Sequence, residues 1–233
     1  MKVVISKILI LSFIFIFSSS IFSQQKLKTE ANADFVEYTN RDGLPTTSIT
    51  NRIQTNDGFI WISSVEGTYR FNGYEFEEVG ADIGLPTMQN MYYDSTKNVI
   101  YFASPAKFII FDGKKFKVYT EKEGYKINGL EGQFITFIKA DSKGRIWIGS
   151  TTPFVDKKNN GGLTKFENGK FTVYDSKNFP LDNATNFIET PYGDLIFNSA
   201  GRNTQTREGS YVALFKNGVF KRIDESVGIN LQN

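Results

Sequence analysis

The stretch "DGFIWISSVEGTYRFNGYEF", Asp57 to Phe76, sets six aromatic residues among glycine turns. Such a stretch is either a stacking platform or one unit of a structural repeat, and the rest of the chain decides between them. "GFIWISS" at Gly58 recurs as "NVIYFAS" at Asn98 and "GRIWIGS" at Gly144, and as "GDLIFNS" at Gly193, shifted by one. The anchoring aromatics Trp61, Tyr101, Trp147 and Phe197 stand 40, 46 and 50 residues apart. A leucine precedes each by 16 or 17 residues: Leu44, Leu85, Leu130 and Leu181. A turn and a further aromatic follow each, in "NGYEF", "DGKKF", "NGKF" and "NGVF". Coincident landmarks at this period identify a repeat architecture.

Each unit reads as four short strands. Asn-Gly and Asp-Gly between apolar runs predict hairpins with type I′ turns, which need positive φ at both central positions. Phe59 to Ile62 are apolar without interruption, so both faces of that strand are buried. A four-stranded unit covered on both faces lies between like units, which defines a propeller blade. The expected fold is all-β, a β-propeller of four-stranded antiparallel blades. Blade 1 spans 44–79, blade 2 85–119, blade 3 130–174 and blade 4 181–224. An outer strand at 35–39 precedes them, and "VGINLQN" at 227–233 starts another inner set. Five outer strands against four inner sets point to a partial arc of a larger ring, the alternative being a closed four-bladed ring with a surplus strand.

Residues 1–23 read as a secretory signal. Lys2 and Lys7 flank a basic start, Ile8 to Phe17 is apolar apart from Ser12, and "SSSIFS" follows. The apolar core of about ten residues falls short of the roughly 20 that a spanning helix needs, so cleavage before Gln24 is favoured over a retained anchor. Residues 24–34 form a linker. The whole chain carries 27 basic and 25 acidic residues; without the two leader lysines the balance is even, which gives no case for nucleic acid. There is no cysteine and no histidine. This excludes disulfides, Ser-His-Asp and Cys-His nucleophiles and His-ligated zinc.

At "DGLP", "TSI" and "DGFIWISSVEGTYRFNG" the chain resembles the two-component regulator propeller repeat. The nearest copies run from Asp42 to Gly73 and from Gly129 to Gly169; Gly84 to Gly113 and Leu181 to Gly218 are degenerate. The resemblance implies a periplasmic ligand-sensing propeller, seven-bladed in its usual form, whose ligands are often oligosaccharides. It implies a downstream signalling module in the full-length protein, and a dimer is among the expected assemblies. Kinase activity is not assigned to these residues, and no cofactor is expected.

Blades 3 and 4 differ from the others in one loop. From anchoring aromatic to turn glycine, blades 1 and 2 take 12 residues each, and blades 3 and 4 take 22 and 21. Insertions on one face of a repeat array mark a binding face. The candidate ligand residues there are Lys157, Asn159, Asn160, Arg202, Asn203, Gln205 and Arg207, with Thr46, Gln89, Gln133 and Asn186 nearer the central channel. Arg, Asn and Gln offer directed hydrogen bonds to neutral or anionic sugars; the plain alternative is a pair of long, solvated loops. Asp156, Asn160, Gly161 and Glu167 match positions of a calcium loop, but Lys158 opposes binding, so no metal is expected. No catalytic residue is expected either. A polysaccharide hydrolase or lyase and a protein-binding scaffold are the rival classes. The Asp-box of propeller sialidases fails here, since its Asp position holds Asn56 and Ser142.

Overall fold

The computed structural model describes residues 36–44, 48–85, 90–127, 134–151, 161–175, 177–181, 183–199 and 211–223. The chain divides into two units, Met1–Tyr38 and Thr39–Asn233, and all sheets described here lie in the second. Blade 1 contains β1 (Ile49–Gln54), β2 (Ile60–Ser64), β3 (Thr68–Phe71) and β4 (Phe76–Glu78). Blade 2 contains β5 (Asn90–Asp94), β6 (Val99–Ala103), β7 (Phe108–Phe111) and β8 (Phe116–Tyr119). Blade 3 contains β9 (Phe134–Ala140), β10 (Ile146–Thr151), β11 (Gly161–Glu167) and β12 (Lys170–Tyr174). Blade 4 contains β13 (Asn186–Glu189), β14 (Leu195–Asn198), β15 (Val212–Lys216) and β16 (Val219–Arg222). Each blade is a separate antiparallel sheet with its strands in chain order.

Apolar packing lies between the sheets, because a strand alternates its side chains between two faces and both faces here are apolar. Trp61 on the back of blade 1 meets Ile100, Phe102 and Ile109 on the front of blade 2. Tyr101 and Phe108 share a second cluster with Ile138, Ile146, Ile148 and Phe166 of blade 3. Trp147 and Leu163 of blade 3 pack with Phe187, Leu195, Phe197 and Phe215 of blade 4. The linker leucines enter two of these seams, Leu85 between blades 1 and 2 and Leu181 between blades 3 and 4. Among the described residues no cluster joins blade 4 back to blade 1.

Trp147 shows how an anchor is fixed. It is fully buried, and its ring meets Phe197 and Phe215 edge-on at 5.2 and 5.1 Å. Its Nε1 donates to Asp141 Oδ2 at 2.7 Å. Asp141 also accepts the Arg145 Nε at 2.5 Å and the backbone amides of Lys143 and Arg145, both at 3.0 Å. One buried carboxylate therefore shapes the β9–β10 turn and orients the indole.

The structure departs from the sequence reading in three places. Phe197 is not the fourth anchor. It faces blade 3 and packs on Trp147, and the anchor register falls on Ile196, paired with Ile188 and Leu214. That back face is open, with Ile188 63% exposed. Second, two of the four outer hairpins are not type I′. Asn168-Gly169 and Asn217-Gly218 have positive φ at both residues, whereas at Asn72-Gly73 and Asp112-Gly113 only the glycine does. All four hairpins have the same length between their paired phenylalanines, but Asn72-Gly73 and Asp112-Gly113 stand one position earlier in the loop, and the Asn72 and Asp112 side chains cap the following backbone amides instead. Third, Val36–Thr39 form no strand. An outer strand needs a free neighbour, and β3, β7, β11 and β15 each pair already with their own outer strand. Phe35 lies outside the described residues.

Two stability predictions follow from this packing. Trp147→Ala is expected to lower unfolding free energy by about 3–5 kcal/mol in urea titrations, whereas Tyr192→Ala, at an exposed hairpin tip, leaves it unchanged. Burial alone raises the Asp94 carboxyl, but hydrogen bonds from Thr96 and Lys97 outweigh it and hold the group below its ordinary value. A carboxyl that titrates lower when folded contributes stability above its ordinary value near pH ~4, and that contribution is lost as pH falls. Asp94→Ala therefore destabilises the protein at neutral pH, and its difference from wild type shrinks in urea titrations carried to about pH 3.

Candidate functional site

In each blade the linker before the first strand and the loop between the second and third strands share one end, here the upper end. The hairpins between the first and second and the third and fourth strands share the lower end. A serine closes the base of every upper loop: Ser64, Ser104, Ser150 and Ser199, all buried. Each hydroxyl donates across the second and third strands, to the carbonyls of Gly67, Lys107, Gly162 and Tyr211. In blades 1 and 2 the same oxygen accepts amides of the loop itself, from Glu66 and Gly67 and from Lys107. In blade 4 it accepts the Tyr211 amide at 2.8 Å. The recurrent Ser of "ISS", "FAS", "IGS" and "FNS" is thus a staple that holds the strands together whatever loop length lies above it.

Blade 3 launches its long loop from Thr151, paired with Gly161. Gly161 has φ +135°, and a Cβ there would lie 2.1 Å from the Ser150 carbonyl, so only glycine closes the loop at this point. On the other side Thr151 pairs with Phe134, which is 49% exposed at the upper end of β9. Blade 4 launches its loop beside Asn198, which pairs with Asn186 and whose Nδ2 donates to Thr185 Oγ1 at 2.7 Å. The base of both insertions therefore presents an exposed ring and exposed amides.

The inner strands are tied to each other at the same end. Asn51 Nδ2 donates to Asn90 Oδ1 at 3.2 Å, and Asn90 Nδ2 donates to the Ile135 carbonyl at 2.6 Å. The Thr136 hydroxyl continues the series by donating to the Ala184 carbonyl. These side chains run across all four blades beside the axis and fix the inner strands in register.

Of the eleven residues chosen from the sequence, the structure describes Asn186. It is exposed at the start of β13, and its Oδ1 accepts the Phe187 amide at 2.8 Å. Lys157, Asn159, Asn160, Arg202, Asn203, Gln205, Arg207, Thr46, Gln89 and Gln133 lie outside the described residues. Phe134 and the Asn51–Asn90 relay escaped the sequence reading. Phe134 adjoins Gln133, and an aromatic at the first position of an inner strand was the available signal. Of the residues that match a calcium loop, Asp156 and Asn160 lie outside the described residues. Gly161 and Glu167 are the two ends of β11, about 20 Å apart at the rise of an extended strand, and Glu167 holds Lys165 at 2.7 Å.

The family model described as "Two component regulator propeller" matches residues 129–152, the segment that holds β9 and β10 of blade 3. No curated protein matches the chain. Among solved structures it is similar to the extracellular domain of BT4673 from B. thetaiotaomicron, described as a one-component system, with a TM-score of 0.53 at 16% identity. That likeness covers 77% of this chain and 23% of the other, so the chain spans about a quarter of the matched structure's length. Another structure of the BT4673 extracellular domain, described as a hybrid two-component system, gives a TM-score of 0.28 at 13% identity, covering 82% and 34%. No helix among the described residues is long and apolar enough to cross a membrane.

Asn90→Ala removes both of its bonds between blades. It is expected to lower unfolding free energy by about 1–2 kcal/mol in urea, while Asn56→Ala, which loses one exposed bond at the lower end, costs less than about 1 kcal/mol.

Proposed function

Because the propeller family model matches within blade 3, we propose that the chain is the sensing part of an exported two-component regulator, and that it binds an oligosaccharide or similar small molecule at the upper end of blades 3 and 4. The observation that carries this reading is the pairing of two long insertions, at the same end of adjacent blades, on bases stapled by Ser150 and Ser199. A ligand there rests on Phe134, whose ring suits the apolar face of a sugar. It meets the amides of Asn186 and Asn198, and Lys157, Asn159, Asn160, Arg202, Asn203, Gln205 and Arg207 from the loops. Thr46, Gln89 and Gln133 extend the contact toward the axis. Stapled bases leave the loops free to vary while the platform stays rigid, which is the division of labour expected of a recognition surface.

Export follows the leader at 1–23, and the signal passes to a module elsewhere in the full-length protein. The back face of blade 4, with Ile188, Ile196 and Leu214, receives a further blade that begins within 227–233. The register supports this: Leu85, Leu181 and Ile229 each stand seven residues beyond the end of β4, β12 and β16. A catalytic role is not part of this proposal.

Calorimetric titration of the purified protein with a panel of plant and bacterial oligosaccharides tests the reading. Binding of one class without cleavage products is expected. Phe134→Ala and an Arg202→Ala/Arg207→Ala double variant should each weaken it about tenfold, while Lys114→Ala at the lower end leaves it unchanged. Turnover of the glycan, or binding indifferent to the upper-end variants, contradicts it.

A further inference from the structure

We propose a second binding site at the outer rim between blades 3 and 4, for a small six-membered ring that carries a carboxylate. A cavity of about 510 Å³ opens there, lined by Tyr174, Lys177, Asn178, Phe179, Val219 and Phe220 among others. Its volume suits one or two rings. The site uses neither of the long loops and stands apart from the upper-end reading.

The walls are built rather than incidental. Tyr174 ends β12, and the chain turns tightly behind it. The Asp175 amide donates to Asn178 Oδ1 at 2.8 Å, the Lys177 amide to Asp175 Oδ1 at 2.9 Å, and the Phe179 amide to the Asp175 carbonyl at 2.8 Å. Phe220 is held against Tyr174 and Phe179 with ring centroids 5.0 Å apart in both pairs. A rigid aromatic corner thus carries Lys177 and Asn178 at its lip.

The corresponding corner between blades 2 and 3 serves as an internal control. There Tyr119 and Lys122 stand where Tyr174 and Lys177 do, but the place of Asn178 is taken by Glu123, whose carboxylate accepts the Thr120 amide and hydroxyl at 2.8 and 2.7 Å and sets a negative charge beside the lysine. Tyr125, in the place of Phe179, donates its hydroxyl to the Ser104 carbonyl at 2.8 Å. Between blades 3 and 4 the Lys177 ammonium, the Asn178 amino group and the Tyr174 hydroxyl have no partner among the described residues. The residue before the outer-strand phenylalanine differs as well. It is Glu75, Lys115 and Lys170 in blades 1 to 3, but Val219 in blade 4, where it is 67% exposed and lines the cavity. An apolar side chain replaces a charged one at the repeat position that borders the cavity.

These groups define the ligand. The ammonium takes a carboxylate, and the amide and phenol reach hydroxyls or the second carboxylate oxygen. Val219 and the rim of Phe220 accept an apolar ring face. A sugar acid and an aromatic acid share this chemistry.

Titration of the protein with galacturonate and with benzoate, beside uncharged galactose and benzyl alcohol, tests the site. At least one acid should bind in the range of about 1 mM, with its uncharged counterpart weaker. Lys177→Gln should weaken the acid about three- to fivefold, and Val219→Glu, which restores the blade 1 residue, should abolish binding. Galacturonate alone identifies a sugar acid, benzoate alone an aromatic acid. Both substitutions lie at exposed positions; if Val219→Glu fails to fold, Lys177→Gln decides. Absence of binding by both acids at about 10 mM, or binding unchanged in the folded variants, overturns the proposal.

Discussion

A sheet that is apolar on both faces has to be covered twice, and this requirement organises the molecule. No blade meets it alone. The back of each of the first three sheets offers a large ring, Trp61, Tyr101 or Trp147, and the front of the next offers aliphatic and phenyl groups that receive it. Stability then comes from nearest-neighbour seams, as in other repeat arrays. Blade 1 breaks the pattern on its own front. Arg52 and Gln54 stand in the register positions filled by Met91 and Tyr93 in blade 2 and by Ile138 and Ala140 in blade 3.

Polar groups divide between the two ends. At the lower end, carboxylates are drawn inward: Asp94 and Asp141 are buried and hold the backbone of their own turns. Those turns are short and leave little room for change. At the upper end, a single hydroxyl per blade seals the sheet below the loop. The Ser staple asks nothing of the residues above it, so a loop of two residues in blade 1 and the long insertions of blades 3 and 4 fit the same scaffold. Variation concentrates where it is structurally cheap, and the exposed ring of Phe134 lies at its foot.

Much of the fold was legible because the landmarks combine a period with turn chemistry. Trp61, Tyr101 and Trp147 announce the buried strands, and glycine pairs announce the hairpins. Sequence failed where one residue of slippage matters. Phe197 passes for an anchor by type, yet strand alternation places it on the opposite face, and only pairing with Phe187 and Ala213 reveals this. "NGYEF" and "NGKF" look alike, but in the first the Asn-Gly stands one position earlier in a loop of the same length, which changes the turn and shifts capping to the Asn72 side chain. The site was legible as a place more than as a set of atoms. Loop length pointed to the upper end of blades 3 and 4, whereas Asn90 and Phe134 depend on contacts between blades, which no local pattern encodes.

Native-state hydrogen exchange on wild type and Leu195→Ala tests the dependence of one blade on the next. Leu195 is fully buried on the front of blade 4, in the cluster that contains Trp147. If seams carry the stability, amides of β10 in blade 3 exchange faster in the variant, together with those of β14 and β15. Faster exchange confined to blade 4, with β10 as protected as in wild type, would contradict the account.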